Sequence, residues 1–228
     1  MKDKTESIID EAYKLYMPQD NYEITELTRF LVEQKQDNDW NILEIGTKFG
    51  GTFYIWNSIN LNGMNISIDM SDGGIHGGIS EEEMDKRDLW FQKRFNNCHF
   101  IRGDSHNLKT SEKMLDILVP DWENIGGKER EENWVDFLFI DGDHSYEGAK
   151  QDFLDYGRFV KKGGIITFHD VNDSQRHRDR NVYVSQFWKE LTENIDENNI
   201  TEYNGNRYLV YEFNSNLDWA GIGTLTKL

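Results

Sequence analysis

Short apolar runs alternate with stretches of helical periodicity along most of this chain. Residues 136–140 (DFLFI) and 165–168 (IITF) have the pattern of strands that are buried on both faces. Between them, apolar side chains recur at helical spacing, which predicts a helix over residues 147–160 that ends at two lysines and Gly163-Gly164. Because a strand–helix–strand unit crosses over right-handed, the two strands are predicted to be parallel.

The same alternation extends to both sides of this unit. Further strands are predicted at residues 40–45, 65–68, 98–102 and 200–228, and further helices at residues 5–16, 22–36, 52–61, 80–95, 112–118 and 183–195. Strands and helices that alternate and then finish in a closing pair of strands predict an α/β fold, an open and mostly parallel sheet of seven strands with helices on both faces. We expect residues 1–38 to form an N-terminal helical extension on the acceptor side, able to act as a lid, ahead of one domain at residues 39–228.

The amino-acid composition argues against several classes of binding partner. The 228 residues include 25 Lys and Arg against 42 Asp and Glu, which gives a net charge of −17. Such a charge repels nucleic acid and anionic membranes, so we expect neither as a partner. The single cysteine, Cys98, leaves no internal disulfide, and no apolar stretch is long enough for a membrane span or a signal peptide. We therefore expect a cytoplasmic protein; whether it forms a homo-oligomer is left open.

A glycine-rich turn, LEIGTKFGGT, joins the first predicted strand to a helix. Its glycines allow a ligand to approach the backbone closely, and the helix start presents free amides to that ligand. The spacing of Gly46, Gly50 and Gly51 does not match the register of a dinucleotide-binding turn. Glu44 would repel a pyrophosphate but could face a sulfonium or an ammonium group. A purely structural strand–helix turn is the alternative.

Two more acids stand at the ends of predicted strands. Asp69 follows the second strand, where nucleotide-binding α/β folds hold ribose hydroxyls with a carboxylate. Asp104 follows Gly103 after the third strand and could accept a hydrogen bond from an adenine amino group. A helix cap at Asp69 and an Asx turn at Asp104 are the alternatives.

In order and spacing, these motifs resemble those of class I S-adenosylmethionine-dependent methyltransferases. The runs LEIGTKFGGT, IRGDS, DFLFIDGDHSYEGAKQDF and KKGGIITFHDV are similar to the branch of cephalosporin-hydroxylase-like proteins and sugar or macrolide O-methyltransferases. The resemblance covers residues 40–170 and implies a Rossmann-like fold, S-adenosylmethionine as cofactor, and methyl transfer to a small hydroxylated acceptor such as a sugar or glycosylated metabolite. The positions that it places at the cofactor are Glu44, Gly46, Thr47, Gly50, Gly51, Thr52, Asp69, Met70, Asp104, Ser105 and Asp141.

The resemblance also implies a metal site and a general base. Cation-dependent members of the branch hold magnesium with an acid after the fourth strand and two carboxylates after the fifth, here Asp141, His169 and Asp170. His169 departs from that pattern, and a mixed nitrogen and oxygen set suits manganese, iron or zinc better than magnesium. A Mg²⁺ or Mn²⁺ site, another transition-metal site and no metal all stay open. Asp143 and His144 occupy the positions of the base, and an imidazole suits that role near neutral pH.

The acceptor pocket is expected to be built outside the core sheet. The candidates are the N-terminal helices, the glycine-rich loop at residues 71–79 as a mobile lid, and residues 172–181. That last segment holds the densest basic cluster of an acidic chain, Arg176, His177, Arg178 and Arg180, which could bind an acidic acceptor or be a solvated loop. Two other functions compete with methyl transfer: a nicotinamide-dependent oxidoreductase and a non-catalytic module that binds S-adenosylmethionine.

Overall fold

The computed structural model describes residues 3–35, 39–71, 78–119, 134–215 and 218–228. Its helices are α1 (Lys4–Tyr13), α2 (Asn21–Lys35), α3 (Gly51–Ile59), α4 (Glu81–Gln92), α5 (Leu108–Leu118), α6 (Tyr146–Tyr156), α7 (Gln175–Arg178) and α8 (Val184–Thr192). Its strands are β1 (Ile42–Ile45), β2 (Asn65–Asp69), β3 (Cys98–Arg102), β4 (Val135–Ile140), β5 (Val160–His169), β6 (Ile200–Tyr203), β7 (Asn206–Phe213) and β8 (Ile222–Lys227). No helix within these ranges is both long and apolar enough to cross a membrane.

All of these strands form one sheet in the order β3-β2-β1-β4-β5-β8-β7-β6. Strands β1 to β5 are parallel, and β8, β7 and β6 add to β5 in antiparallel fashion. The α/β class with a mostly parallel sheet is confirmed, but the predicted count of seven strands was one too few. The extra strand arises because Asn204 and Gly205 both have a positive φ, so the chain turns tightly and pairs β6 with β7 as a hairpin.

The crossover between β4 and β5 differs from the prediction at its end. Helix α6 ends at Tyr156, and a 3₁₀ turn over Gly157–Phe159 leads directly into β5. Lys161 therefore lies in a strand, where its Nζ is 2.9 Å from the carboxylate of Asp136. The register shifts between the pairs Val135–Val160 and Phe137–Ile165, so the two glycines belong to an irregularity in β5 and do not stop a helix.

Apolar side chains fill both faces of the sheet. On one face, Trp56 of α3 packs against Phe137 and Phe139, with ring centroids 5.0 and 5.3 Å apart. Helices α1 and α2 join this same cluster through Ile9 and Leu27, both buried. The N-terminal helices therefore share the core of the sheet, while the predicted domain boundary at residue 38 lies outside the described residues.

A buried glutamate ties α2 to the far end of the sheet. The carboxylate of Glu23 accepts hydrogen bonds from the backbone amides of Ser215 at 3.0 Å and Gly221 at 2.9 Å. The pKa of Glu23 is raised, because burial outweighs these two hydrogen bonds. The first turn of α2 and the segment before β8 are thereby held together.

Candidate active site

The carboxyl ends of the parallel strands border a cavity of about 1180 Å³. Such an edge is where open α/β sheets bind ligands. Because the strand order is β3-β2-β1-β4-β5-β8, residues that follow β3 and β2 line one end, and residues beside β5 and β8 line the other. Gly78 is on the wall, but residues 72–77 of the predicted lid lie outside the described residues.

The cavity brings together most of the residues that the sequence placed at a cofactor. Those that line it are Gly46, Thr47, Gly51, Thr52, Asp69, Met70, Asp104, Ser105 and Asp141. Glu44 and Gly50 are predicted cofactor residues that do not line it. Whether any of them contacts a cofactor remains a prediction.

The glycines of the β1–α3 turn allow close packing. A Cβ on Gly46, whose φ is +87°, would lie 2.1 Å from the carbonyl oxygen of Asp141. A Cβ on Gly50, whose φ is +91°, would lie 2.7 Å from the ring of Phe91. The turn after β1 can therefore lie directly against the turn after β4, which closes the floor of the cavity.

Glu44 lies beneath that floor. Its side chain is fully buried, and Oε1 accepts a hydrogen bond from the hydroxyl of Thr52 at 3.0 Å. Burial raises the pKa of Glu44 to about 8, and the nearby charge of Asp141 adds to the rise. The sequence predicts that Glu44 could contact a cationic group of the cofactor. The burial of Glu44 beneath the floor does not favour such a contact.

Asp69 is held by an arginine that the sequence analysis missed. Oδ2 of Asp69 accepts from Arg87 Nη1 at 2.6 Å and from the backbone amide of Lys48 at 2.9 Å. Arg87 is buried and also contacts Asp88, which pairs with Arg102. Burial raises the pKa of Asp69 in spite of Arg87. The sequence did contain a clue, because the charged pair 87–88 stands on the otherwise apolar stripe of α4.

The wall after β3 contains a second ion pair that the sequence analysis missed. Oδ1 of Asp104 accepts from the amide of His106 at 2.9 Å, so the Asx turn anticipated as an alternative is present. The ring of His106 lines the cavity, and its Nε2 lies 3.3 Å from Oδ1 of the fully buried Asp152. A hydrogen bond to Asp152 raises the pKa of His106 to about 9.

Two carboxylates and a histidine converge at the centre of the cavity. Nδ1 of His144 is 2.7 Å from Oδ2 of Asp170, and its Nε2 is 3.9 Å from Oδ1 of Asp141. Ligand atoms of these three residues all lie within 4.8 Å of one another. The predicted metal set contained His169 in place of His144. His169 also adjoins both carboxylates, with Nδ1 3.1 Å from Oδ1 of Asp141 and 3.3 Å from Oδ1 of Asp170, and its Nε2 is buried without a hydrogen-bond partner. Which of these residues bind a metal stays a prediction.

The charges within this cluster stabilise one another. Burial favours the neutral form of His144, but Asp170 and Asp141 outweigh it and raise its pKa. The pKa of His169 lies well above its usual value, because the charges of Asp170 and Asp141 outweigh burial. Burial alone would raise the pKa of Asp170, yet the neighbouring histidines hold it well below its usual range. Asp170 is thus a carboxylate, and its backbone adopts a left-handed φ of +62° at the end of β5.

Asp143, the other candidate base, is more exposed than His144. Its Oδ1 accepts from the amide of Ser145 at 2.9 Å, and Ser145 caps α6 through Gly148. Asp143 lines the cavity, but none of the described residues orients it for proton transfer as Asp170 orients His144. The geometry therefore favours His144 as the base.

A loop residue from the N-terminal extension reaches the cluster. Gln19 lies between α1 and α2, is buried, and donates from Nε2 to Oδ2 of Asp141 at 2.8 Å. Its carbonyl oxygen accepts from the hydroxyl of Tyr13 at 2.8 Å, which fixes the loop. Nothing in the sequence indicates this contact, because a glutamine in a polar loop is ordinarily solvated.

The arginines of the basic loop after β5 differ in whether they line the cavity. Arg178 pairs with Asp173 and does not line the cavity. Arg180 does line it, beside Trp219, and its guanidinium carbon lies 5.0 Å from the Trp219 ring centroid. Arg176 packs on the same ring at 3.8 Å. Trp219 was not identified from the sequence, since it lies far along the chain from the other site residues.

The family described as "Methyltransferase domain" matches residues 43–171, more than half of the chain. An uncharacterized protein of Acanthamoeba polyphaga mimivirus is 29% identical over 138 residues, which are 60% of this chain and 54% of that protein. An uncharacterized protein of Sinorhizobium fredii is 25% identical over 154 residues, 66% of this chain and 15% of that protein. The chain thus spans about half of one relative and a small part of the other.

Three solved structures illustrate the likeness in fold. A methyltransferase of the mycinamycin biosynthetic pathway, in complex with Mg, SAH and mycinamycin VI, has a TM-score of 0.60 at 14% identity over 99% of this chain and 55% of that chain. A putative caffeoyl-CoA O-methyltransferase from Staphylococcus aureus gives 0.57 at 18% identity, covering 98% and 93%. The O-methyltransferase from Bacillus cereus in complex with SAH gives 0.55 at 16% identity, covering 100% and 92%. At these identities the likeness establishes the fold.

Proposed function

We propose that this chain, which belongs to the methyltransferase-domain family, is an S-adenosylmethionine-dependent O-methyltransferase acting on a small hydroxylated acceptor. One observation carries the proposal: the oriented pair His144–Asp170 shares a cavity with the glycine-rich turn and with Asp69. A base and a cofactor cradle in one cavity are the two parts that such a reaction requires.

The cofactor would occupy the end of the cavity beside β1, β2 and β3. Asp69 would hold the ribose hydroxyls, and Asp104 with Ser105 would border the adenine. The mycinamycin-pathway and Bacillus cereus enzymes were solved in complex with SAH, which supports the same class of cofactor here. Arg87 would keep the Asp69 carboxylate turned towards the cavity.

The chemical step needs little covalent help from the protein. The acceptor oxygen attacks the methyl carbon, the sulfur–methyl bond breaks, and neutral S-adenosylhomocysteine leaves. The enzyme must hold oxygen, carbon and sulfur in line and remove the hydroxyl proton. His144 would take that proton on Nε2, because Asp170 holds Nδ1 and stabilises the imidazolium that forms.

A divalent cation fits the same cluster. Asp141, His144 and Asp170 would hold it, and Oδ1 of Asp170 is buried without a hydrogen-bond partner. Two carboxylates and one imidazole suit Mn²⁺ better than Mg²⁺. Such a cation would lower the pKa of an acceptor hydroxyl. His144 would then be a ligand, and Asp143 would be the remaining candidate base.

The competing functions lose support at this point. A nicotinamide-dependent oxidoreductase is disfavoured by the family match and by the spacing of Gly46, Gly50 and Gly51. A module that only binds the cofactor would have no need of an oriented base beside it. Variants at His144 that bind the cofactor normally yet lose turnover would separate an enzyme from such a module.

Calorimetric titration with S-adenosylmethionine is the direct test, with NAD as a parallel control, before and after treatment with a chelator. We expect micromolar binding of S-adenosylmethionine and no heat from NAD. Absence of S-adenosylmethionine binding in both states would overturn the proposal. A change in affinity after chelation, reversed by Mn²⁺, would support a cation in the cluster.

A further inference from the structure

We propose that the acceptor carries an anionic group, a carboxylate or a phosphate, on a ring, and that Arg180 and Trp219 bind it. This inference rests on the proposed function, since it assigns a substrate class to the acceptor end of the same cavity. Neither side chain has a part in the proposed cofactor binding or in the proposed proton transfer.

The positions of Arg180 and Trp219 in the cavity indicate that they contact the acceptor. Both line the cavity at its β5–β8 end, opposite the residues that follow β2 and β3. The His144–Asp170 pair lies between the two ends. The loop that carries Arg180 is tied to the proposed base, because the amide of Tyr183 donates to the carbonyl oxygen of His144 at 2.7 Å. An acceptor whose hydroxyl reaches His144 would therefore extend towards Arg180.

The part of the chain that the structure describes offers no carboxylate to neutralise the charge of Arg180. Among the described residues, neither Arg176 nor Arg180 has a carboxylate at salt-bridge distance, whereas Arg178 in the same loop pairs with Asp173. The chain as a whole has a net charge of −17, so acidic partners are abundant. A guanidinium left without one at the wall of a cavity is suited to bind the anion of a ligand, and its fork matches carboxylate and phosphate geometry.

Hydrogen bonds anchor the backbone of Trp219 and of the two residues after it beside that guanidinium. Its carbonyl oxygen accepts from Nδ2 of Asn172 at 3.0 Å, and the next amide, that of Ala220, donates to Nε2 of His177 at 3.2 Å. The amide of Gly221 is bound by the buried carboxylate of Glu23 at 2.9 Å. The ring is half-buried, so part of it stays open to the cavity. Arg176 and the ring of His177 pack on part of the indole, at 3.8 and 5.0 Å from its centroid. The part that faces the cavity provides a stacking surface for a sugar or an aromatic ring at low entropic cost.

Together, the two side chains distinguish ligands by charge as well as by shape. The ring of the acceptor would pack on Trp219 and place its anion at Arg180. Removing the guanidinium should weaken binding of an anionic ring about tenfold or more, because hydrogen bonds between charged groups are among the stronger ones. A neutral ring of the same shape would not be affected.

The test follows the indole N–H resonance of Trp219 by NMR, assigned among the seven tryptophans with Trp219→Phe. Full-length protein, with and without SAH, is titrated at millimolar concentrations with two matched pairs: methyl glucuronide against methyl glucoside, and glucose 6-phosphate against glucose. The variants are Arg180→Met and, as a matched control, Arg178→Met. Circular dichroism verifies that both variants are folded.

We expect a saturable shift with at least one anion and a much weaker response to its neutral partner. Arg180→Met should weaken the anion response about tenfold, and Arg178→Met should leave it within about twofold. The pair that responds distinguishes carboxylate from phosphate. No saturable response to either anion, equal response to neutral partners, or equal effects of the two substitutions would overturn the inference. If the Trp219 resonance responds to an anion but the protein does not bind SAH, the anion site is supported and the proposed function is rejected.

Discussion

Gln19 donates a hydrogen bond from Nε2 to Oδ2 of Asp141 at 2.8 Å, although 122 residues separate the two in the chain. This contact connects the loop between α1 and α2 to the acid at the end of β4. The N-terminal helices therefore contribute a polar side chain to the site as well as apolar side chains to the core.

Replacing Gln19 by alanine is expected to lower the free energy of unfolding by about 1–3 kcal/mol, because Asp141 loses a donor in a largely buried position. Gln19→Glu should cost more, since it places a second carboxylate against the first. Urea unfolding measures both. Gln151→Ala is the control, because that side chain pairs with Asp155 on the exposed face of α6. Equal costs for the alanine variants at 19 and 151 would contradict the prediction.

Replacing Arg87 is expected to weaken binding of S-adenosylmethionine. The side chain holds Asp69 in place at 2.6 Å, and its loss frees the carboxylate that we assign to the ribose. We expect Arg87→Gln to reduce affinity about tenfold, as second partners of ligand-binding groups commonly do. Calorimetry measures this, with Lys86→Gln as the neighbouring control, because Lys86 is exposed and pairs with Glu82. Unchanged affinity in Arg87→Gln would show that Asp69 does not depend on the arginine.

Replacing Asp170 by asparagine is expected to reduce kcat by a factor of about 10²–10⁴, the usual contribution of a general base. The amide cannot stabilise the imidazolium of His144. Binding of S-adenosylmethionine should stay within about twofold, since Asp170 lies beyond the cofactor end. Single-turnover methyl transfer and calorimetry on the same preparations separate the two effects. Loss of cofactor binding together with turnover would argue against the assigned role.

The pair His106–Asp152 is expected to make stability depend on pH in the alkaline range. The pKa of His106 is raised to about 9 by its hydrogen bond to Asp152. Its stabilising contribution is complete below the ordinary histidine pKa of about 6.5 and is lost as the pH rises through about 9. Thermal unfolding of wild type and His106→Gln between these limits should show a difference that shrinks as the pH rises. A difference that is constant with pH would exclude the charged pair.

Glu44 is also expected to make stability fall as the pH rises, in its case because the ionised form is destabilised by burial. Burial raises its pKa to about 8, so ionising it costs progressively more stability as the pH rises from the ordinary glutamate value to about 8. Glu44→Gln should therefore gain stability relative to wild type at alkaline pH, on the order of a few kcal/mol. Its affinity for S-adenosylmethionine should not change if the carboxyl stays beneath the floor. Unfolding and calorimetry at several pH values test both statements.

Local patterns predicted the alternation of strands and helices and the α/β class, and the resemblance to methyltransferases is confirmed by the family match. They also predicted which side chains stand at strand ends, such as Asp69 and Asp141, because parallel strands bring their carboxyl ends to one edge. The patterns failed at the β4–β5 crossover. There Val160 already pairs with Val135 of the adjacent strand, and Lys161 contacts Asp136, so residues that the periodicity placed in the helix belong to β5.

The sequence by itself determined the order of the elements and the acids at their ends, because periodicity, turn residues and strand ends are encoded within a few neighbouring positions. Only the tertiary structure brought Gln19 to Asp141, Arg87 to Asp69, and Trp219 to Arg180. It also placed Glu44 under the cavity floor and brought His144 to the two carboxylates beside which His169 lies. Such contacts depend on how distant segments pack and on which rotamers the packing allows. No local stretch of the sequence determines either of these.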